Sequence, residues 1–177
     1  MLFLFQNRFE AGRGLAEKLA SLQIERPVIV AIARGGVAVG SEVARALKAE
    51  FEILVVHASR EIRQPLHDYR PRTPLSILGR TVILVDDGLD TGSTALAGVH
   101  TLRQRGAKKI IVAAPICSRK AVQAIQAEVD EVIYLESLEA FGSVEAWYEH
   151  FNPITDEEVA RLLNYAARAT SPPTKTL

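Results

Sequence analysis

Cysteine is nearly missing from this chain: Cys117 is the only one in 177 residues. One thiol cannot close an internal disulfide or build a thiolate metal cage, and its solitude fits a reducing, cytoplasmic setting. Net charge is missing too, since 21 Lys and Arg balance 21 Asp and Glu. A neutral chain carries no global field to gather DNA, RNA or anionic lipid. Long apolar runs are also lacking: the opening MLFLFQNRF has no basic leader and no small-residue cleavage site, and no window approaches the roughly 20 apolar residues that cross a bilayer. Repeats and low-complexity arrays do not occur.

What the chain does have is 48% hydrophobic residues, enough for one core that removes roughly 70% of the unfolded surface from water. A single domain over 1–168 is expected, with 169–177, ending SPPTKTL, as a disordered tail. Apolar, β-branched runs recur at 28–33 (VIVAIA), 51–56 (FEILVV), 81–85 (TVILV), 110–114 (IIVAA) and 129–135 (VDEVIYL). Helical spacing marks 37–48, 91–105 and 119–127 between them, and 8–20 before them, where Phe9, Leu15, Ala16 and Leu19 form the expected buried face. Strands apolar on both sides and separated by helices call for an α/β fold, an open, mainly parallel sheet of about five strands flanked by helices.

Two stretches break this rhythm. Residues 57–79 mix Pro65, Pro71 and Pro74 with Arg60, Arg63, Arg70 and Arg72, a basic, helix-poor connection of a length that is more often functional than idle. Residues 141–151 gather Phe141, Trp147, Tyr148 and Phe151, suited either to stacking on a ligand or to pinning a terminal segment to the core. Thr155 and Glu158 then read as a capping box that opens a last helix. The N-terminal segment and 136–168 are candidates for a small hood or lid.

The chemistry concentrates in VILVDDGLDTGST, 82–94. Ligands of open parallel sheets bind beyond the carboxyl ends of the strands, where Asp86 and Asp87 fall. Gly88 and Gly92 let the chain turn with amides inward, Thr91, Ser93 and Thr94 add hydroxyls, and a helix amino end follows: an anion cup suited to phosphate. Two carboxylates at its lip ask for a ligand that also carries vicinal hydroxyls or a divalent metal, and a ribose 5-phosphate has both features. An ordinary strand-to-turn ending with a capped helix would use the same letters. Rival motifs each lack their working residue. A P-loop needs a lysine where Gly92 is followed by Ser93; Gly12-Arg13-Gly14 follows no strand, as a dinucleotide fingerprint must; and a dehalogenase-type nucleophile would stand where the chain has Val85. A second cation-and-glycine turn, Arg34-Gly35-Gly36, ends the 28–33 run and makes a second anion site.

The stretch 82–94 closely resembles the signature of the type I phosphoribosyltransferases, which use 5-phosphoribosyl 1-pyrophosphate with Mg²⁺ to attach ribose phosphate to a nitrogenous base or remove it. FQNRFEAGRGLAEKL, VIVAIARGGVAVGSEVARAL and FGSVEAWYEHFNPITDEEV are similar to a bacterial subgroup of that family whose base is unassigned; 57–79 matches poorly. The resemblance implies that Asp86 and Asp87 hold the ribose hydroxyls, with any metal contact of theirs running through water. It implies that Asp90, Thr91, Gly92, Ser93 and Thr94 wrap the 5-phosphate. It also implies that Ala33, Arg34, Gly35 and Gly36 form a pyrophosphate loop, in which a strained peptide, often cis, aims backbone donors. Dimers are common in the family, so a homodimer is the expected assembly.

Three points stay open at this level. Asp90 stands where the purine-salvage branch has an aspartate facing the base, which hints at a purine-like base and a catalytic acid; an acid favouring the next helix's amino end explains it as well. The run before the excursion ends His57-Ala58 where the subgroup has an Arg-Lys pair, which motivates a rival reading, a non-catalytic module that binds or senses a phosphoribosyl compound or nucleotide. A nucleic-acid-binding regulator is disfavoured by the neutral charge. His57 reads as a strand-end residue, His67, His100 and His150 lack metal-ligand spacing, and Cys117 reads as a small buried filler after a strand.

Overall fold

A computed structural model describes residues 3–56 and 74–170. Residues 57–73 of the arginine-rich connection, with His57 and His67, and the tail from 171 lie outside the described residues. The elements run α1 (Arg8–Ser21), β1 (Val28–Ile32), α2 (Gly35–Leu47), β2 (Glu50–Leu54), β3 (Thr81–Val85), α3 (Ser93–Gln104), β4 (Lys109–Ser118), α4 (Arg119–Ile125), β5 (Glu131–Leu138), a 3₁₀ turn (Val144–Trp147) and α5 (Asp156–Thr170).

All five strands are parallel, in the order β2-β1-β3-β4-β5. The winding therefore reverses between β1 and β3, and a crevice at their carboxyl ends is where open α/β sheets place ligands. The purely apolar runs are explained by position: β1 and β3 are interior strands, buried along nearly their whole length. On one face Val30, Leu84 and Val112 pack with Val99 and Leu102 of α3 and Ile125 of α4. On the other, Ile29, Ile83 and Ile111 pack with Leu15 and Leu19 of α1 and Val39 and Val43 of α2. Burying a side chain of this size contributes about 1.5–3 kcal/mol, so these two layers dominate the fold.

Three details differ from the sequence reading. β4 runs four residues beyond Ala114, straight through Pro115, because Ile116, Cys117 and Ser118 pair with Glu136, Ser137 and Leu138 while Leu89 bridges Cys117 on the other side. Neighbours on both sides outweigh the missing proline donor. Cys117 is thus inside a strand, and fully buried. Gly12, discounted as a nucleotide fingerprint, has a packing role: a Cβ there would lie 3.0 Å from the Val39 carbonyl oxygen, so glycine permits α1 and α2 to cross closely. The buried face of α1 includes Leu15, Ala16 and Leu19 as expected, while Phe9 is only half-buried and Arg8 is buried.

The ends are tied down by named contacts. Asn7 caps α1, its Oδ1 accepting from the Phe9 and Glu10 amides at 3.0 Å each. The capping box at α5 forms, with the Glu158 amide donating to Thr155 Oγ1 at 3.2 Å. Phe5 bridges Tyr148, and the Glu149 and His150 amides donate to the Phe5 and Gln6 carbonyls at 2.9 Å each. Phe141 and Tyr148 are buried and Trp147 and Phe151 half-buried, so the aromatic cluster fastens the chain's N-terminal segment to the core. Among the described residues no helix is long and apolar enough to cross a membrane.

Candidate functional site

The site follows from where β1 and β3 stop. Beyond Val85, the Asp86 amide makes one more ladder bond, to the Ala113 carbonyl at 3.2 Å. The chain then leaves the sheet with Leu89 as its anchor: the Leu89 amide donates to the Ile116 carbonyl at 2.9 Å and the Ser118 amide to the Leu89 carbonyl at 2.8 Å. Gly92 takes the left-handed region, φ 80°, and opens α3. Gly88 serves space rather than conformation, since a Cβ there would lie 2.6 Å from Val144. Asp90, Thr91 and Ser93 are exposed and Thr94 half-buried. The Thr91 and Ser93 hydroxyls share a 2.9 Å hydrogen bond, and Ser118 donates its hydroxyl proton to the Asp90 carbonyl. Among the described residues, the amides of Thr91, Gly92 and Thr94 meet no protein acceptor, which leaves donors and a helix dipole for an anion.

A second set of unpaired donors sits one strand away. The Ala33–Arg34 peptide is cis, the form the resemblance leads one to look for, and the amides of Arg34, Gly35 and Gly36 also meet no acceptor among the described residues. A Cβ on Gly36 would lie 2.6 Å from the Val85 carbonyl oxygen, and one on Gly35 only 2.0 Å from Asp87 Oδ2. Both glycines are required by this close approach, which sets the turn directly on the end of β3. The Arg34 guanidinium does not lie free: Nη1 is 2.5 Å from Asp156 Oδ1, at the amino end of α5.

The two acids differ. Asp87 is buried; Arg8 Nε donates to its Oδ2 at 2.7 Å, and the Tyr148 hydroxyl donates to its backbone carbonyl at 2.6 Å. Asp86 is half-buried and, among the described residues, its carboxyl receives only the Asp87 amide, at 2.9 Å on Oδ1. Removal from water, then the charge of Asp87, holds the Asp86 carboxyl well above the usual carboxylate range. Burial, then Asp86, pushes the Cys117 thiol up to about 12, and burial, then Asp87, raises the Tyr148 hydroxyl.

Asp86, Asp87, Asp90, the 91–94 loop and the Arg34–Gly36 turn are therefore brought together at the switch point. His100 and His150 lie exposed. Arg8 and Asp156 escaped the sequence reading, and so did the bond from Tyr148 to Asp87. A signal for Arg8 was present: it stands on the helical stripe of Ala11, Leu15 and Leu19, a charge on a face that is otherwise apolar. No group of three or more His, Cys, Asp or Glu among the described residues suits a metal ion. An ion here would take its ligands from Asp86, water and a bound phosphate, the manner in which Mg²⁺ is usually held; Asp86, which makes no direct ion pair among the described residues, fits that role. A groove of about 380 Å³ between α1, α2 and α5, lined by Phe9, Glu42, Glu158, Arg161, Leu162 and Tyr165, contains none of the strand-end residues.

Comparison with known proteins agrees with this geometry. A family model described as phosphoribosyl transferase domain matches residues 4–150. A Mycobacterium tuberculosis protein, Rv0571c, to which the same family name is provisionally attached, is 30% identical over 93% of this chain and 47% of its own length. The chain thus spans about half the length of that relative. The uracil phosphoribosyltransferase of Lysinibacillus sphaericus is 31% identical over 69% of this chain and 59% of its own length. Among solved structures, TT1426 from Thermus thermophilus superposes with a TM-score of 0.79 at 30% identity, covering 91% of this chain and 98% of that one.

Proposed function

We propose a function from the premise that the chain belongs to the phosphoribosyl transferase domain family, whose model covers 4–150. The reading is a Mg²⁺-dependent phosphoribosyltransferase that moves ribose 5-phosphate between 5-phosphoribosyl 1-pyrophosphate and a nitrogenous, purine-like base. One observation carries it: two sets of amides that meet no acceptor among the described residues, those of Thr91, Gly92 and Thr94 and those of Arg34, Gly35 and Gly36, flank the half-buried Asp86 beyond the ends of adjacent strands. That spacing suits a ligand with a phosphate at one end, a pyrophosphate at the other and sugar hydroxyls between.

In this reading the 90–94 loop holds the 5-phosphate and Asp86 accepts from ribose hydroxyls, which fixes the sugar for displacement at C1. The 34–36 amides, with Arg34, stabilise the charge that grows on the departing pyrophosphate. Mg²⁺, when bound, neutralises part of that charge. Asp90, exposed and with no side-chain partner among the described residues, stands at the mouth, where it would meet a proton of a purine-like ring.

The test is pyrophosphate release from 5-phosphoribosyl 1-pyrophosphate, with Mg²⁺ and a panel of purines and pyrimidines, against Asp86→Asn as control. Base-dependent release well above the control supports the reading, and chelating the metal should abolish it. Binding of the sugar pyrophosphate with no turnover for any base would point instead to a sensing module, and no binding would rule out both.

A further inference from the structure

We infer that Arg8 is a positioning residue that acts through Asp87 on the Ala33–Gly36 turn, so that the two neighbouring acids divide their work: Asp86 faces ligand and Asp87 is a strut. This rests on the functional reading above, in which that turn holds pyrophosphate. Arg8 is 7% exposed, and two of its guanidinium nitrogens are engaged. Nε donates to Asp87 Oδ2 at 2.7 Å, Nη1 donates to the Asn152 carbonyl at 2.8 Å, and the guanidinium carbon lies 3.5 Å from the Phe151 ring centroid. Planar, multidentate and stacked, this is a role a lysine cannot copy.

The strut is visible from its other end. The Asp87 side chain is only 13% exposed, and Gly35 lies so close over it that a Cβ would come within 2.0 Å of Oδ2 and 2.9 Å of Oδ1. The carboxylate is thus enclosed between a cation from α1 and the backbone of the anion turn, with its own carbonyl held by Tyr148. If the carboxylate shifts, the floor beneath Gly35 shifts with it. Among the described residues, no comparable contact joins Arg8 to the 90–94 loop.

Arg8→Lys keeps the charge and loses the fork. Calorimetric titration of wild-type and Arg8→Lys protein with magnesium pyrophosphate and, separately, with ribose 5-phosphate separates the two ends of the site. The expected result is pyrophosphate affinity weakened about tenfold, the scale on which supporting partners act, with ribose 5-phosphate within about twofold of wild type. Equal weakening of both ligands, or of neither, would overturn the inference. Should Arg8→Lys fail to fold, Arg8→Gln/Asp87→Asn, which removes both charges together, takes its place with the same readouts. If wild-type protein binds no pyrophosphate, the functional reading falls, and crystals of wild type and the variant decide the strut alone. Displacement of Asp87 together with the 33–36 turn supports it, and an unmoved turn refutes it.

Discussion

Asp86 is the residue whose environment works against its own charge. Burial and the neighbouring Asp87 hold its carboxyl above the usual range, so the folded chain favours the protonated form more than the unfolded chain does. That contribution stabilises as pH falls toward the ordinary carboxylate range and turns against folding as pH rises through the raised value. Asp86→Asn should therefore melt at a higher temperature than wild type near neutral pH, in the absence of ligand, while losing turnover. Asp130 has the opposite sign. The Ile110 amide, at 2.7 Å, and then Arg103, at 2.8 Å, hold it below its ordinary value. Its contribution is present above the unfolded value of about 3.9 and is lost as pH falls through the lowered one. Asp130→Asn should flatten the acid limb of a plot of melting temperature against pH. Asp86, Asp90 and Thr91 to Thr94 were legible because their chemistry is contiguous in the chain. The partners of Asp87 were not, since Arg8 stands 79 positions away and only folding joins them.

The elements were legible where neighbours agreed with local pattern. β3 has the boundaries its apolar run indicates, while β4 overran Pro115 because pairing partners on both sides favour continuation. The last helix was readable from its capping box, yet the use made of its first residue was not. Asp156 opens α5 and its Oδ1 lies 2.5 Å from Arg34, with both side chains about two-fifths exposed (40% and 38%). On the proposed reading, in which the Arg34 turn takes pyrophosphate, Asp156 would compete with the incoming anion for this arginine. Exposed pairs of this kind are worth up to about 1 kcal/mol. Asp156→Asn should bind inorganic pyrophosphate more tightly, by up to about fivefold, as read by calorimetry.

For the molecule as a whole, sheet order is what assembles the site, and sequence alone fixes strands more readily than their order. The same five apolar runs in another order would part the Arg34 turn from Asp86. The edge strand β2 is tied to the end of α3 by a partly buried ion pair: Arg105 donates to both Glu52 carboxylate oxygens, at 2.7 and 3.0 Å, and to the Leu75 carbonyl at 2.9 Å, while the Leu75 amide donates to Glu52 at 2.9 Å. This knot fixes Leu75 against β2 and the end of α3. Glu52→Ala takes the carboxylate from a partly enclosed guanidinium and the acceptor from the Leu75 amide, and should cost about 1–3 kcal/mol in denaturant unfolding, without touching the strand ends that bear the site. The seclusion of Cys117 has a practical corollary. A lone thiol, fully enclosed and with its ionisation pushed up to about 12, is silent toward maleimides, so a cysteine introduced at any chosen surface position becomes a unique attachment point for a fluorophore or spin label, and the arginine-rich connection can be watched in solution while ligand is added.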